Sequence, residues 1–153
     1  MEGPGTQSPT IHGSCVKVGE TGVLIRGPSG SGKSHLAFAL ILAGRSGVVP
    51  PTQLVADDRV SLEHRADGLH ASAPDVLAGL IEVRGAGLRR IDHARSAQVR
   101  LVVDLGASDA SRLPEMAALK TQIAGVEIDR LPVFASGDAV QQVLAVLLTR
   151  PAI

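Results

Sequence analysis

The sequence predicts a single α/β domain with a mixed sheet, and three observations carry that prediction. A short apolar strand at residues 23–25 runs straight into a glycine-rich loop, and from it into a breaker-free helical stretch at 33–43. Short β-rich runs separated by turn residues flank this unit, and one pair reads as a hairpin turning at Asp67-Gly68. A second apolar-periodic stretch near the end stops before Pro151. Hairpins combined with a strand–loop–helix unit imply a mixed sheet, not a purely parallel one. At 153 residues with 44% hydrophobic content, the chain suits one domain with a full core.

The elements follow in order. Residues 1–10 are rich in Gly, Pro, Ser and Thr and read as a disordered tail, which leaves 11–150 as the folded domain. Residues 11–18 alternate as a strand, and 19–22 read as a turn. The helix from Lys33 is expected to end with Gly44 as its C-cap. Pro50-Pro51 marks a loop over 45–52, and a strand at 54–56 ends in Asp57-Asp58. Residues 60–64 and 69–71 form the hairpin, 80–84 a further strand, and Gly85-Ala86-Gly87 a flexible break. Residues 99–105 and 126–133 read as strands, and Pro114 as the start of a short helix. Gly137 or Asp138 caps the last helix, which runs to Leu148.

Composition excludes several function classes. Lys plus Arg and Asp plus Glu both number 15, so no bulk field draws the chain to nucleic acid or an anionic membrane. Two Phe and no Tyr or Trp leave no platform for stacking bases. No apolar run is long enough to span a bilayer, and the first residues lack a signal-peptide pattern. A lone cysteine, Cys15, has no internal partner and reads as a small buried strand residue of a cytoplasmic protein.

The sharpest motif is Gly27-Pro28-Ser29-Gly30-Ser31-Gly32-Lys33-Ser34, which fits G-x-x-x-x-G-K-[ST]. Glycines let the backbone curl so that successive N–H groups face phosphates, and the helix N-terminus adds its dipole. Lys33 would reach the β- and γ-phosphates of ATP, and the Ser34 hydroxyl would ligate Mg²⁺. Asp57-Asp58 ends a strand where a metal-binding acid belongs, and adjacent residues there point in different directions. One would serve the metal while the other takes a proton, although the same pair also suits a solvated turn. Glu82 and Arg84 share one face of an apolar strand. They suit metal and phosphate binding, or equally the wet side of an amphipathic strand. His12 alone carries no signal, and the other histidines show no metal-ligand spacing.

Taken together these pieces resemble the catalytic domain of HPr kinase/phosphorylase. The resemblance rests on Ile11-His12-Gly13, the glycine loop, Leu54-Val55-Ala56-Asp57-Asp58-Arg59-Val60 and Ile81-Glu82-Val83-Arg84-Gly85-Ala86-Gly87-Leu88. It is clear over residues 11–92 and faint beyond. It implies an ATP- and Mg²⁺-dependent kinase that phosphorylates a serine of HPr, a carrier protein of the bacterial sugar phosphotransferase system, and that reverses the reaction by phosphorolysis. It further implies that His12 is an active-site histidine, Lys33 the loop lysine and Asp58 the proton acceptor. Ser34 and Glu82 match metal ligands, to which the acidic pair adds Asp57. Arg112, in Ser111-Arg112-Leu113, resembles a later catalytic arginine, although Pro114 stands where glycine is usual. The implied form is a short one, limited to the catalytic domain and assembled as a homo-oligomer, a hexamer in the family. Residues 132–138 contain no Lys or Arg where the family carries a basic loop tied to dephosphorylation. A small-molecule kinase and a nucleotide-sensing module with little turnover are the competing readings.

Overall fold

A computed structural model describes residues 9–152. Eleven strands and two α-helices are found among them, in the order β1 (Thr10–His12), β2 (Ser14–Val18), β3 (Thr21–Arg26), α1 (Lys33–Arg45), β4 (Thr52–Ala56), β5 (Arg59–Arg65), β6 (Gly68–Ser72), β7 (Leu80–Val83), β8 (Gly87–Arg90), β9 (Ala97–Leu105), β10 (Lys120–Ile123), β11 (Val126–Val133) and α2 (Ala139–Leu148). Short 3₁₀ turns precede β7 and β10. The main sheet runs β1-β5-β6-β9-β3-β2-β4, with β11 and then β10 added beside β9. β9 is the spine of this sheet. It lies parallel to β3 along one edge, while its other edge pairs antiparallel with β6 at Ala97–Gln98 and parallel with β11 from Leu101 to Leu105.

The strand period of two divides the core. Val23 and Ile25 of β3 and Leu101 and Val103 of β9 face α1 and α2, joined there by Leu36, Leu40 and Val143. Leu24 and Val102 face the opposite way, against Val60, Leu62 and Leu69 of the β5–β6 hairpin and Ile128 of β11. The curled sheet thus has helices on one side and its own hairpins on the other.

Several sequence expectations shift. The strand expected over 11–18 breaks at Gly13 into β1 and β2, which pair with different neighbours. Of the tail expected over 1–10, residues 1–8 lie outside the described residues, and Thr10 already pairs with Ser61. Gly44 is inside α1 and Ser46 caps it instead. A Cβ at Gly44 would fall 2.7 Å from the Thr52 backbone nitrogen, so glycine serves the close approach of α1 to β4. The hairpin turns at Ala66-Asp67, because Gly68 pairs with Arg65. The break at 85–87 is a tight turn between β7 and β8, with the Ala86 N–H donating to the Val83 carbonyl at 2.9 Å. The short helix expected after Pro114 is one 3₁₀ turn at Met116–Leu119, and the chain then enters β10. Asp138 does cap α2, accepting the Gln141 N–H at 3.0 Å.

Candidate active site

The glycine-rich loop springs from the carboxyl end of β3 and ends in the first turn of α1. Gly32 takes φ 97°, a left-handed conformation that glycine adopts without steric cost, and its carbonyl accepts the first helical bond, from the Leu36 N–H at 2.9 Å. Lys33 turns back on its own loop: its Nζ donates to the carbonyls of Gly27 at 2.8 Å and Pro28 at 3.0 Å. Beneath the loop the Ser31 hydroxyl is buried with no hydrogen-bond partner among the described residues. A buried polar atom of this kind calls for a ligand or solvent partner, and a phosphate oxygen would supply one.

Asp57 lies below the start of α1 and is only 4% exposed. Its Oδ1 accepts hydrogen bonds from Ser14 Oγ at 2.6 Å and Ser34 Oγ at 2.7 Å. Its Oδ2 accepts from the Glu82 backbone N–H at 3.0 Å. Asp58 next to it is exposed and has φ 69°. That left-handed backbone turns its carboxylate away from Asp57 and towards His12, whose Nδ1 is 4.0 Å from Oδ1. Two neighbouring carboxylates therefore occupy different environments, one buried and clamped, the other open.

A cavity of about 510 Å³ lies beside these groups; Lys33, Ser34, Asp58, Glu82 and Arg84 line it with Gly30 and Gly32 of the loop, while Asp57 and His12 stand outside its lining. Arg84 reaches this wall from the β7–β8 turn. A hard-oxygen set of one carboxylate and one hydroxyl, with Glu82 near by, fits a magnesium ion that keeps several waters and takes phosphate oxygens. Among the described residues no group of three or more His, Cys, Asp or Glu forms a ready-made cage. Arg112 is placed differently. It lies exposed in the connection after β9 and does not line the cavity. A larger hollow, about 790 Å³, lies by Arg45, Gln53, Arg90 and His93, and no residue of the glycine loop lines it.

Sequence reasoning missed two features. Ser14 lines the cavity and clamps Asp57, and its only signal was a hydroxyl inside an otherwise apolar strand. The second is a chain of ion pairs that links the carboxyl ends of β3 and β9 to the middle of β11 and to the connection after β9. Arg26, directly before the loop, makes a bidentate contact to Asp104 at 2.7 and 2.8 Å. Arg130 donates to Asp104 at 2.6 Å, to both oxygens of Asp109 at 2.7 and 3.0 Å, and to the Ala118 carbonyl at 2.9 Å. Burial acts to raise the Asp104 carboxyl, but the hydrogen bonds from Arg26 and Arg130 outweigh it and hold it below the usual carboxylate range. The Arg130 hydrogen bond likewise holds Asp109 low.

Fold and site together define the class: an α/β domain that presents a glycine-rich loop and a buried acid at the carboxyl edge of its parallel strands. The profile of the HPr Serine kinase C-terminal domain matches residues 6–148, and the chain belongs to that family. It is 36% identical over 126 residues to the HPr kinase/phosphorylase of Peptoclostridium acidaminophilum, covering 81% of this chain and 36% of that protein. It is 34% identical over 137 residues to the protein of the same name from Geobacillus thermodenitrificans, covering 80% of this chain and 41% of the relative. The chain thus spans well under half the length of these relatives. The solved structure of the Hpr(Ser) kinase/phosphatase from Coxiella burnetii superposes with a TM-score of 0.74 at 24% identity, over 92% of this chain and 94% of the other, and shares its fold.

Proposed function

We propose that this domain is an ATP-dependent serine kinase that phosphorylates HPr. The observation that carries the reading is the pair Asp57 and Asp58: one acid clamped by Ser14 and Ser34 under a helix N-terminus, its neighbour open to the cavity. The family and the names of its relatives support the choice of acceptor.

In this reading the backbone N–H groups of residues 30–34 bind the phosphates of ATP, and Lys33 exchanges its two loop carbonyls for β- and γ-phosphate oxygens. Ser34, Asp57 and Glu82 would hold Mg²⁺, which would supply positive charge to offset that of the phosphates. Asp58 accepts the proton of the serine hydroxyl as that oxygen bonds to the γ-phosphorus and the bond to the β–γ bridging oxygen breaks. His12 flanks Asp58 and keeps its carboxylate oriented. Arg84 stabilises charge on the transferred group, and Arg112 joins it from the segment after β9. Phosphorolysis, in which inorganic phosphate takes the phosphoryl group from phosphoserine to give pyrophosphate, is the weaker direction, because residues 132–138 offer no cation. Self-assembly, as a hexamer by analogy with the family, belongs to the same proposal.

The test is to incubate the protein with Mg-ATP and purified HPr and to follow intact mass. One added phosphate mapped to a serine supports the kinase. Bound ATP with no gain in mass favours instead the nucleotide-sensing module, a reading encouraged by Arg112 not lining the cavity.

A further inference from the structure

We propose that Arg130 is a positioning residue for phosphoryl transfer: it ties the 106–119 connection, which carries Arg112, to the carboxylate that braces Arg26, the residue directly before the glycine loop. The inference rests on the kinase reading for the role of Arg112 and adds the device that places it.

The connection is long and largely exposed, and Arg112, Leu113 and Met116 all face solvent. Apolar packing therefore does little to fix it. Its polar ties are few and specific. The Ala107 N–H donates to the Val133 carbonyl at 2.9 Å, which anchors only the start. Beyond that point Arg130 makes the long-range contacts, with a fork on Asp109 on one side of Arg112 and a bond to the Ala118 carbonyl on the other. One guanidinium thus pins both flanks of the segment that bears Arg112. A planar fork does this with two parallel bonds of fixed direction, which a lysine would not reproduce.

The other end of the device is the loop. Asp104 stands beside Arg26 in the parallel register of β9 and β3, and accepts from Arg26 and Arg130 together. Arg26 is bonded covalently to Gly27, whose carbonyl holds Lys33. The end of β9 also abuts the loop directly: a Cβ at Gly27 would lie 3.0 Å from that of Leu105, and one at Gly106 would lie 3.7 Å from Pro28 Cδ. The segment that carries Arg112 and the loop that carries Lys33 are therefore referred to the same buried-side carboxylate. Two of the three acid–base contacts linking these four residues are bidentate, and the arginine hydrogen bonds hold the Asp104 and Asp109 carboxyls below the usual carboxylate range.

The test uses Asp109→Asn, which cuts the outer tie and leaves Asp104, Arg26 and Arg130 in place. Asp109 is half exposed, so the fold survives the change. The variant is expected to lower kcat for phosphate transfer about tenfold with the KM for ATP unchanged, and Asp109→Glu should recover most of the loss. In an Arg112→Ala background the same change should have no further effect, since Asp109 acts through Arg112. Additive losses, or an unchanged kcat, would overturn the proposal. A second arm needs no transfer at all: amide hydrogen exchange across 107–119 should quicken about tenfold in Asp109→Asn while α1 stays protected. Unchanged exchange there would equally overturn it. A wild-type chain that binds ATP but transfers nothing to HPr would remove the kinase reading, and the exchange arm would still decide whether Arg130 holds the segment.

Discussion

Asp58 holds a left-handed backbone, φ 69°, at the point where β4 turns into β5. Aspartate tolerates that conformation better than most residues, and strained dihedrals persist where the surroundings enforce them. Here the enforcement is visible: the Asp58 carbonyl accepts the Gly13 N–H, and Asp57 is locked from the other side. The result separates two adjacent acids into one buried and clamped and one open. In the proposed mechanism Asp58→Asn keeps the shape and removes the base. It should bind ATP within about twofold of wild type and lose at least ~100-fold in transfer rate. Nucleotide binding and single-turnover transfer, measured together, check this; retained transfer removes Asp58 from the role of base. Cys15 shows the opposite case. It is fully buried, which pushes its thiol up to about 12 and leaves it inert as a strand-packing residue.

At the scale of elements, local spacing made part of the design readable. The glycine loop, the strand before it and the helix after it are contiguous, so their chemistry is written in one short stretch. Asp57-Asp58 was legible because it follows an apolar strand. Strands β8 and β10 were not, because β8 is exposed along its whole length and β10 alternates without a buried residue, leaving no hydrophobic period to detect. Ser14 was missed because a hydroxyl in a strand says nothing until its partner 43 residues away is known. The C-terminal end of α1 was misjudged for a similar reason, while its start at Lys33 was read correctly: glycine usually stops a helix, but Gly44 answers to Thr52 across the α1–β4 contact. Gly44→Ala should therefore destabilise the domain by about 1–2 kcal/mol despite the higher helix propensity of alanine. Thermal unfolding should show Tm lower by roughly 3–8 °C. An unchanged or higher Tm would mean that the two elements move apart at no cost.

For the whole molecule, the ion-paired chain through Arg26, Asp104, Arg130 and Asp109 binds three strands and a connection that are far apart in sequence, which is why no motif announces it. Its carboxyls release protons more readily folded than unfolded, so the unfolded chain takes up more protons in acid. The contribution is present above the ordinary carboxylate value of ~3.9 and is lost as pH falls through the lower native value. Asp104→Asn should be less stable than wild type near pH 7, and the two should converge below about pH 4. Parallel stability curves across that range would assign the acid sensitivity to other carboxylates, such as Asp67 beside His70. No helix among the described residues is long and apolar enough to cross a membrane.

The placement of β9 has a consequence for synthesis. β3, the strand that launches the glycine loop, finds its parallel neighbour only at residues 99–104, and β6 finds its second partner at 97–98. A chain emerging from the ribosome can pair β2 with β3 and β5 with β6 early, but no strand bridges β3 to β6 until β9 has left the exit tunnel. The loop at 27–34 is thus translated well before the edge at 99–104 that supports it. Its settled geometry is withheld from the nascent chain until β9 has emerged.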